Sequence, residues 1–365
     1  MRKIFYLIIA IALLASGNEA FAQMNRKSIK KNNRRIATFR GRKAWFSKEK
    51  RYNSIGVSIS ALNYFGDLSP KPGKLSTDIS FTKPAIAFSF THRFGPRYSL
   101  TGSLMYGALK GSDAGSANEN DPNNGVYRHI RNLSFRNRIK ELSLVATIDL
   151  FENQSTYISR VKWTPYLFAG VAVFYNNPQA QVPDYHVDGV TKFDNAGQWV
   201  DLQPLGTEGQ YSKLQPDDAN AGIKPYHKIQ PAIPFGIGAR FRLNEVFDVS
   251  AEIGFRYTFT DYLDDVSKNY VDLGVFGNNE LAKAMSYRSG ELPAFNPVTG
   301  NDPLMQSYVG RDGATYNVRN GFGSEYHEAG TNKRGSGTNN RDYYMVTTIR
   351  VTYILGKTFH RAKFR

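Results

Sequence analysis

Three carboxylates fall within five positions at Asp261, Asp264 and Asp265, hard oxygen donors of the kind that hold a cation such as calcium. Their spacing is not that of an EF-hand loop, and strand-end capping or loop hydrogen bonding would use the same residues. The six histidines (His92, His129, His186, His227, His327 and His360) are scattered without metal-ligand spacing. His186 lies beside Asp184 and Asp188, and His327 near Glu325, pairs that would suit acid–base chemistry. No G-x-S-x-G nucleophile elbow accompanies them. The 365 residues contain no cysteine, which excludes disulfides, thiolate metal sites, a thiol nucleophile and a lipid anchor on Cys. The expectation is a chain without catalysis, cofactor or small-molecule substrate.

Seven other charged residues, Arg93, Glu141, Arg240, Arg242, Glu252, Arg256 and Arg350, share a different property. Each falls on the polar parity of a segment that alternates with period 2. Eight such segments follow Tyr52: 55–61, 86–93, 98–106, 141–150, 166–175, 233–242, 247–259 and 343–353. In the seventh, Phe247, Val249, Ala251, Ile253 and Phe255 oppose Asp248, Ser250 and Glu252. The fifth is less regular, with Phe168 and Phe174 on its second face. Segments of about ten residues, apolar on one face and polar on the other, mark a transmembrane β-barrel. A soluble sandwich also alternates, but its strands average about five or six residues. The connections separate the two further. Those at 94–97, 244–245 and 152–162 are short; those at 67–82, 110–131, 176–228 and 263–341 are long. The reading is all-β: an eight-stranded antiparallel transmembrane β-barrel over 54–356, with short periplasmic turns and long extracellular loops. Side chains fill so small a barrel, so the seven charges are expected to pair in a lumenal salt-bridge network. Aromatics at strand ends, such as Tyr64, Phe94, Trp163, Tyr257 and Tyr343, suit girdles at the two membrane interfaces.

Composition agrees, with 22 Tyr, 24 Phe, 32 Gly and only 21% charged residues. The net charge of +16 would suggest nucleic acid if it were spread over the fold. It is local. Arg26 to Arg51 holds twelve Lys and Arg against Glu49 alone, a net of +11. Before it, Arg2 and Lys3 precede an apolar run from Ile4 to Ala15, and Ala20-Phe21-Ala22 ends the stretch, the pattern of an export signal over 1–22. Export excludes a nucleic-acid partner and directs the chain to the outer membrane and its lipid. The segment 23–53 reads as a flexible periplasmic tail: either a solvated leader or a docking arm for an acidic partner, centred on Arg34, Arg35, Arg40, Arg42 and Lys43. A second basic stretch, 357–365, ends the chain.

Several blocks together resemble one family. They are Arg131-Asn132-Leu133-Ser134-Phe135-Arg136, Glu141-Leu142-Ser143, Pro165 to Gly170, Trp199 to Gly209, Ile233-Pro234-Phe235-Gly236 and Tyr257 to Ser267. The Trp199 block contributes Trp199, Asp201, Gln203, Pro204, Gly206, Glu208 and Gly209. The whole, over roughly 54–355, resembles the PorG-like outer-membrane barrel family of Bacteroidetes. The resemblance implies an accessory component of the type IX secretion and gliding machinery that contacts the periplasmic secretion-ring proteins. It brings no enzymatic residues. The basic tail and the loop at 268–340 are extended relative to shorter members. Two other readings stay open: a small OmpA-like adhesion or envelope-stability barrel, and an outer-membrane lipid-modifying enzyme or protease with its site on the loops.

Overall fold

The computed structural model describes residues 46, 50–69, 79–118, 120–121, 125–324, 332–335 and 341–355. The export signal, the basic residues Arg34, Arg35, Arg40, Arg42 and Lys43, the pair Glu325 and His327, and the C-terminal stretch with His360 lie outside them. All eight alternating segments are strands. They are β1 (Tyr52–Phe65), β2 (Lys83–Arg93), β3 (Tyr98–Ser112), β4 (Ser134–Asp149) and β5 (Trp163–Tyr175). Two short strands, β6 (Pro178–Gln181) and β7 (Trp199–Asp201), follow. Then come β8 (Ile229–Arg242), β9 (Phe247–Thr258), the hairpin β10 (Met305–Val309) and β11 (Thr315–Arg319), and β12 (Tyr343–Leu355).

Each long strand pairs antiparallel with its neighbour in the order β1-β2-β3-β4-β5-β8-β9-β12, and β12 pairs back onto β1. The sheet is therefore a closed eight-stranded barrel with no free edge. The β1–β12 register, Asn53 opposite Leu355 and Phe65 opposite Tyr343, brings the chain in and out at one end. That end carries the short connections; the other carries the long loops. The second loop is displaced along the chain from where its composition places it. β3 and β4 stay paired up to Ser112 and Ser134, so this loop spans 113–133, not 110–131. Hydrogen bonding outlasts the apolar alternation there, because the outward side chains change to Lys110, Arg136 and Arg138.

That change belongs to a general inversion. Over most of the barrel height the outward row is apolar and open: Ile59 is 68% exposed, Leu142 60% and Ile349 63%. The inward row there is small or charged, with Ser54, Ser58, Ser143 and Ser250 all buried. Towards the loop end the rows exchange character. On β4 the inward residues become Phe135 and Ile139, while Arg136, Arg138 and Lys140 point out. On β1 Leu62 and Tyr64 turn inward; on β12 Tyr344 and Val346 do so, with Thr347 outside. The expectation of a polar lumen thus holds for the turn-end part only. At the loop end Leu62, Leu109, Phe135, Ile139 and Phe174 form an apolar core, into which Leu263 descends from the last loop. The boundary of the inversion marks where the barrel leaves an apolar surrounding for water.

The irregular β5 has a packing reason. Tyr166, Phe168 and Phe174 all point inward: Phe174 joins the apolar core, and Tyr166 and Phe168 fit because β8 and β9 offer glycines opposite. A Cβ at Gly236 or Gly254 would lie 2.7 Å from the Phe168 ring, and one at Gly238 only 2.5 Å from Tyr166.

The register predicts how substitutions differ. Ile253→Arg puts a charge on the apolar outer layer and should cost about 2–4 kcal/mol of barrel stability in bilayers. Ser250→Ala, on the inward row, should cost under about 1 kcal/mol. Urea titrations of both variants refolded into vesicles test this; a reversed order would mean the register is off by one residue.

Candidate functional site in the lumen and loop cap

The charges read as lumenal come together in three clusters. Nearest the short turns, Asp149 accepts from Arg93 at 2.6 Å and Arg240 at 3.2 Å. Above them, Arg350 meets Glu252 at 2.8 Å, and the Tyr166 hydroxyl donates to the same carboxylate at 2.7 Å. Below the apolar core, Arg256 pairs with Glu141 at 3.1 Å and Tyr344 donates to Glu141 at 2.7 Å. Six of the seven residues named from sequence thus stand in ion pairs. Arg242 does not. At the end of β8 it donates to the carbonyls of Arg160 and Asn244, at 3.0 and 3.2 Å. Three further members of the lumenal ion pairs were not named for the network. Asp149 and Asp248 sit on the polar parity, where their role was readable. Arg160 comes from a turn, and its link to Asp248 at 2.6 Å has no local sequence signal. The cavities left among these side chains measure only about 30 and 10 Å³.

At the loop end the family-like blocks converge on one cap. The helix α1 (Gly125–Arg131) ends in Arg131. Buried Asp113 accepts from Arg131 Nε at 2.7 Å, Arg128 Nε at 3.0 Å and the Leu133 amide at 3.1 Å. Arg131 also donates to the carbonyls of Arg334 and Asp67, at 2.7 and 3.0 Å, so it ties the first, second and last loops together. From the third loop, buried Glu208 accepts the amides of Ser267 and Lys268, at 2.9 and 3.0 Å, and Arg334 Nη1 at 3.3 Å. Pro204 starts the turn that leads to Glu208, and Gly206 and Gly209 supply the positive φ angles of 60° and 86° around it. Gln203 donates to the Tyr226 carbonyl at 3.2 Å. Trp199 and Asp201 lie outside this knot: Trp199 stacks under Arg136, and Asp201 accepts from Asn177 and Gln179. Arg334, which closes the knot, sits in a Gly- and Asn-rich stretch that reads only as loop.

The three aspartates of the last loop are engaged in loop hydrogen bonds, one of the two uses open to them from sequence. Asp261 accepts from Ser267 Oγ at 2.6 Å. Asp264 accepts from the Tyr64 hydroxyl at 2.6 Å and the Val266 amide at 3.0 Å. Asp265, held at φ 68°, accepts from Thr207 and Tyr226 at 2.5 and 2.7 Å. Among the described residues no group of three or more His, Asp or Glu is arranged to hold a metal. These carboxylates are instead poor anions. Burial pushes Asp261 up to about 7, with the charges of Asp67 and Glu208 adding to it. Burial likewise raises Asp264 and Asp342, which share the Tyr64 hydroxyl. His186 lines a loop cavity of about 270 Å³ that also includes Asp184, Tyr287 and Glu291. It packs on Phe193 at 4.1 Å and stands 4.0 Å from Glu280 of α2 (Glu280–Ser286). Among the described residues no serine or threonine lines that cavity.

The model of a domain of unknown function, DUF6089, matches residues 38–200, which takes in β1 to β6 and the start of β7. No curated protein sequence matches the chain. Among solved structures, similarity is found to Ail, the attachment invasion locus protein of Yersinia pestis, at 6% identity, covering 84% of this chain and 99% of that one, with TM-score 0.31. The outer membrane protein OprG of Pseudomonas aeruginosa is similar at 11% identity, 85% and 98% coverage and TM-score 0.31. The N-terminal β-barrel domain of Pseudomonas aeruginosa OprF follows at 10%, 83%, 98% and 0.29. The fold assignment rests on the strand pairing and not on these likenesses.

The cap should respond to pH. A carboxyl whose folded-state value is raised binds protons more tightly folded than unfolded, so stability falls as pH rises. For Asp261 the loss should run from about 4, the unfolded value, to about 7 in the folded cap. Amide protection factors over 260–268 should therefore be higher at pH 5 than at pH 8, and Asp261→Asn should flatten the difference. Equal protection at both pH values in the unaltered protein would refute this account.

Proposed function

We propose that this chain is a non-enzymatic outer-membrane β-barrel that acts as a scaffold. The observation that carries this reading is a closed barrel with an apolar outer layer and an interior filled along its height. The outer layer fits bilayer hydrocarbon, and lipid of the outer membrane is its immediate partner. A filled interior leaves surfaces, not a conduit, as the means of action. Short turns face the periplasm in such barrels and long loops face outward. The segment before Tyr52 then joins the barrel on the periplasmic side.

The more specific proposal is a scaffold of the type IX protein secretion system that contacts periplasmic ring subunits. Two observations support it. The blocks that resemble the PorG-like family of Bacteroidetes include those that build the cap: Arg131 to Arg136, the Trp199 block and the Asp261 block. The net +11 of Arg26 to Arg51 suits an acidic partner surface below the membrane. A small OmpA-like adhesion or envelope-stability role is the second reading, favoured by the ordered cap that presents β10 and β11 on the loop side.

Deleting Arg26 to Arg51 should leave a barrel that still migrates in a heat-modifiable way in detergent, but one that recovers less periplasmic partner at low salt. The difference should shrink as the screening length falls from about 8 Å at 0.15 M to about 3 Å at 1 M salt. Undiminished recovery of every ring subunit at low salt would remove the docking role from this segment.

A further inference from the structure

Above the apolar layer, on the outer face of β3 and β4, four cations form a stripe. Arg136, Arg138 and Lys140 are successive outward residues of β4, and Lys110 of β3 lies directly opposite Arg136. Lys140 is cross-strand from Tyr106, so the stripe runs over five residues of strand, about 13 Å from end to end. Among the described residues none of the four is in an ion pair with a carboxylate. β6 pairs with β4 at Arg136 and β7 pairs with β6, and the acid on that ladder, Asp201, accepts from Asn177, Gln179 and Lys228. Two of the cations are held in place. The Arg136 guanidinium lies 3.7 Å over the Trp199 ring and its Nε donates to Gln179 at 3.1 Å; Lys140 sits 5.8 Å from the Tyr175 ring. Like charges at i and i+2 of one strand face repel, and here no acid offsets them. Such a row is what an anion site requires.

A second feature lies immediately beneath. A groove of about 760 Å³ crosses the outer face of the barrel, lined by Phe88, Phe90, Leu104, Leu142 and Val351, with Gly102 at its floor. Leu142 and Leu104 are one outward step below Lys140 and Tyr106. The groove therefore ends under the cations. A Cβ at Gly102 would meet nothing nearer than the Ser143 carbonyl oxygen at 4.0 Å, so this is open space on the lipid-facing side.

We infer that this face binds a phosphorylated glycolipid of the outer leaflet, with phosphate on the stripe and an acyl chain in the groove. The inference rests on the outer-membrane reading, which puts the loop end in the outer leaflet. The length of the stripe favours a headgroup with phosphates at both ends of a disaccharide over a phospholipid with one. Basic residues beside anionic lipid each add to retention, and an acyl chain in the groove adds apolar burial.

The test uses the full barrel refolded into nanodiscs, with retained lipid counted by native mass spectrometry. Heat-modifiable migration is read first: a wild-type chain that never inserts overturns the outer-membrane reading, not this site. The probes are bisphosphorylated lipid A, its dephosphorylated form and phosphatidylglycerol. Wild type should retain bisphosphorylated lipid A at least about tenfold better than either of the others. Arg138→Gln with Lys140→Gln, both on exposed side chains, should abolish that preference while the barrel still inserts. Gly102→Phe, which fills the groove, should lower retention of both lipid A forms. Equal retention of phosphatidylglycerol, displacement by millimolar inorganic phosphate, or unchanged retention by both inserted variants would each overturn the proposal.

Discussion

Backbone hydrogen bonding in a medium without water is the constraint from which the rest follows. Every amide and carbonyl within hydrocarbon needs a protein partner, and a sheet provides one for each only when it closes. The pairing of β1 with β12 supplies that closure, over thirteen residue pairs from Asn53–Leu355 to Phe65–Tyr343. Once the sheet is closed at eight strands, the outside must be apolar and the inside must hold side chains. The ion pairs are a consequence of this geometry. Charges enclosed in so narrow a space are tolerated only when matched, as in Arg93–Asp149–Arg240, Arg350–Glu252 and Arg256–Glu141. Glycines at 236, 238 and 254 give the room that Tyr166 and Phe168 then occupy.

Closure also explains the cap. The strands rise past the apolar layer, where their inward faces turn apolar and would meet water if the mouth stayed open. Leu263 and Val266 of the last loop cover that apolar surface. Holding them down requires the loops to be joined, and two arginines do so. Arg131 reaches loops one, two and four; Arg334 reaches loops three and four through Glu208 and the Asp265 carbonyl. The raised carboxyls of Asp261, Asp264 and Asp342 follow from this burial.

The strands were legible because period 2 is local: each residue declares its face through its neighbours two away. The lumenal charges were legible for the same reason, which is why Glu141, Glu252 and Arg256 could be named by parity alone. Arg242 was misplaced because parity says which face a residue takes and not how far along the barrel it stands. The cap was legible only in part. Its blocks could be quoted as unusual, yet Asp113 and Arg334 meet Arg131 across 18 and 203 residues, and Asp342 meets Tyr64 across 278. Of the two uses open to Asp261, Asp264 and Asp265, the structure shows loop hydrogen bonding. Proximity in sequence suggests a common ligand, whereas Asp265 at positive φ turns to Thr207 and Tyr226 while Asp264 turns to Tyr64.

The exchange of polarity along each strand has its own logic. A strand apolar on both faces over its whole length would read as a long hydrophobic run, the signal of a membrane helix. Polar inward residues in the lower barrel break that run, and the matched charges are the cost of doing so. In the upper barrel the outward face lies in the headgroup region, where Lys110, Arg136, Arg138 and Lys140 are at home. The inward face there is free to be apolar and to form a core of the kind a soluble protein has. One chain thus uses two opposite patterns within single strands: β4 runs from Phe135 and Ile139 inside with basic residues outside to Glu141 and Ser143 inside with Leu142 and Leu144 outside. The crossing point, between Lys140 and Leu142, is the position of the membrane surface recorded in sequence. Both the loop knot above it and the filled lumen below it are answers to the side chains that this crossing leaves inside.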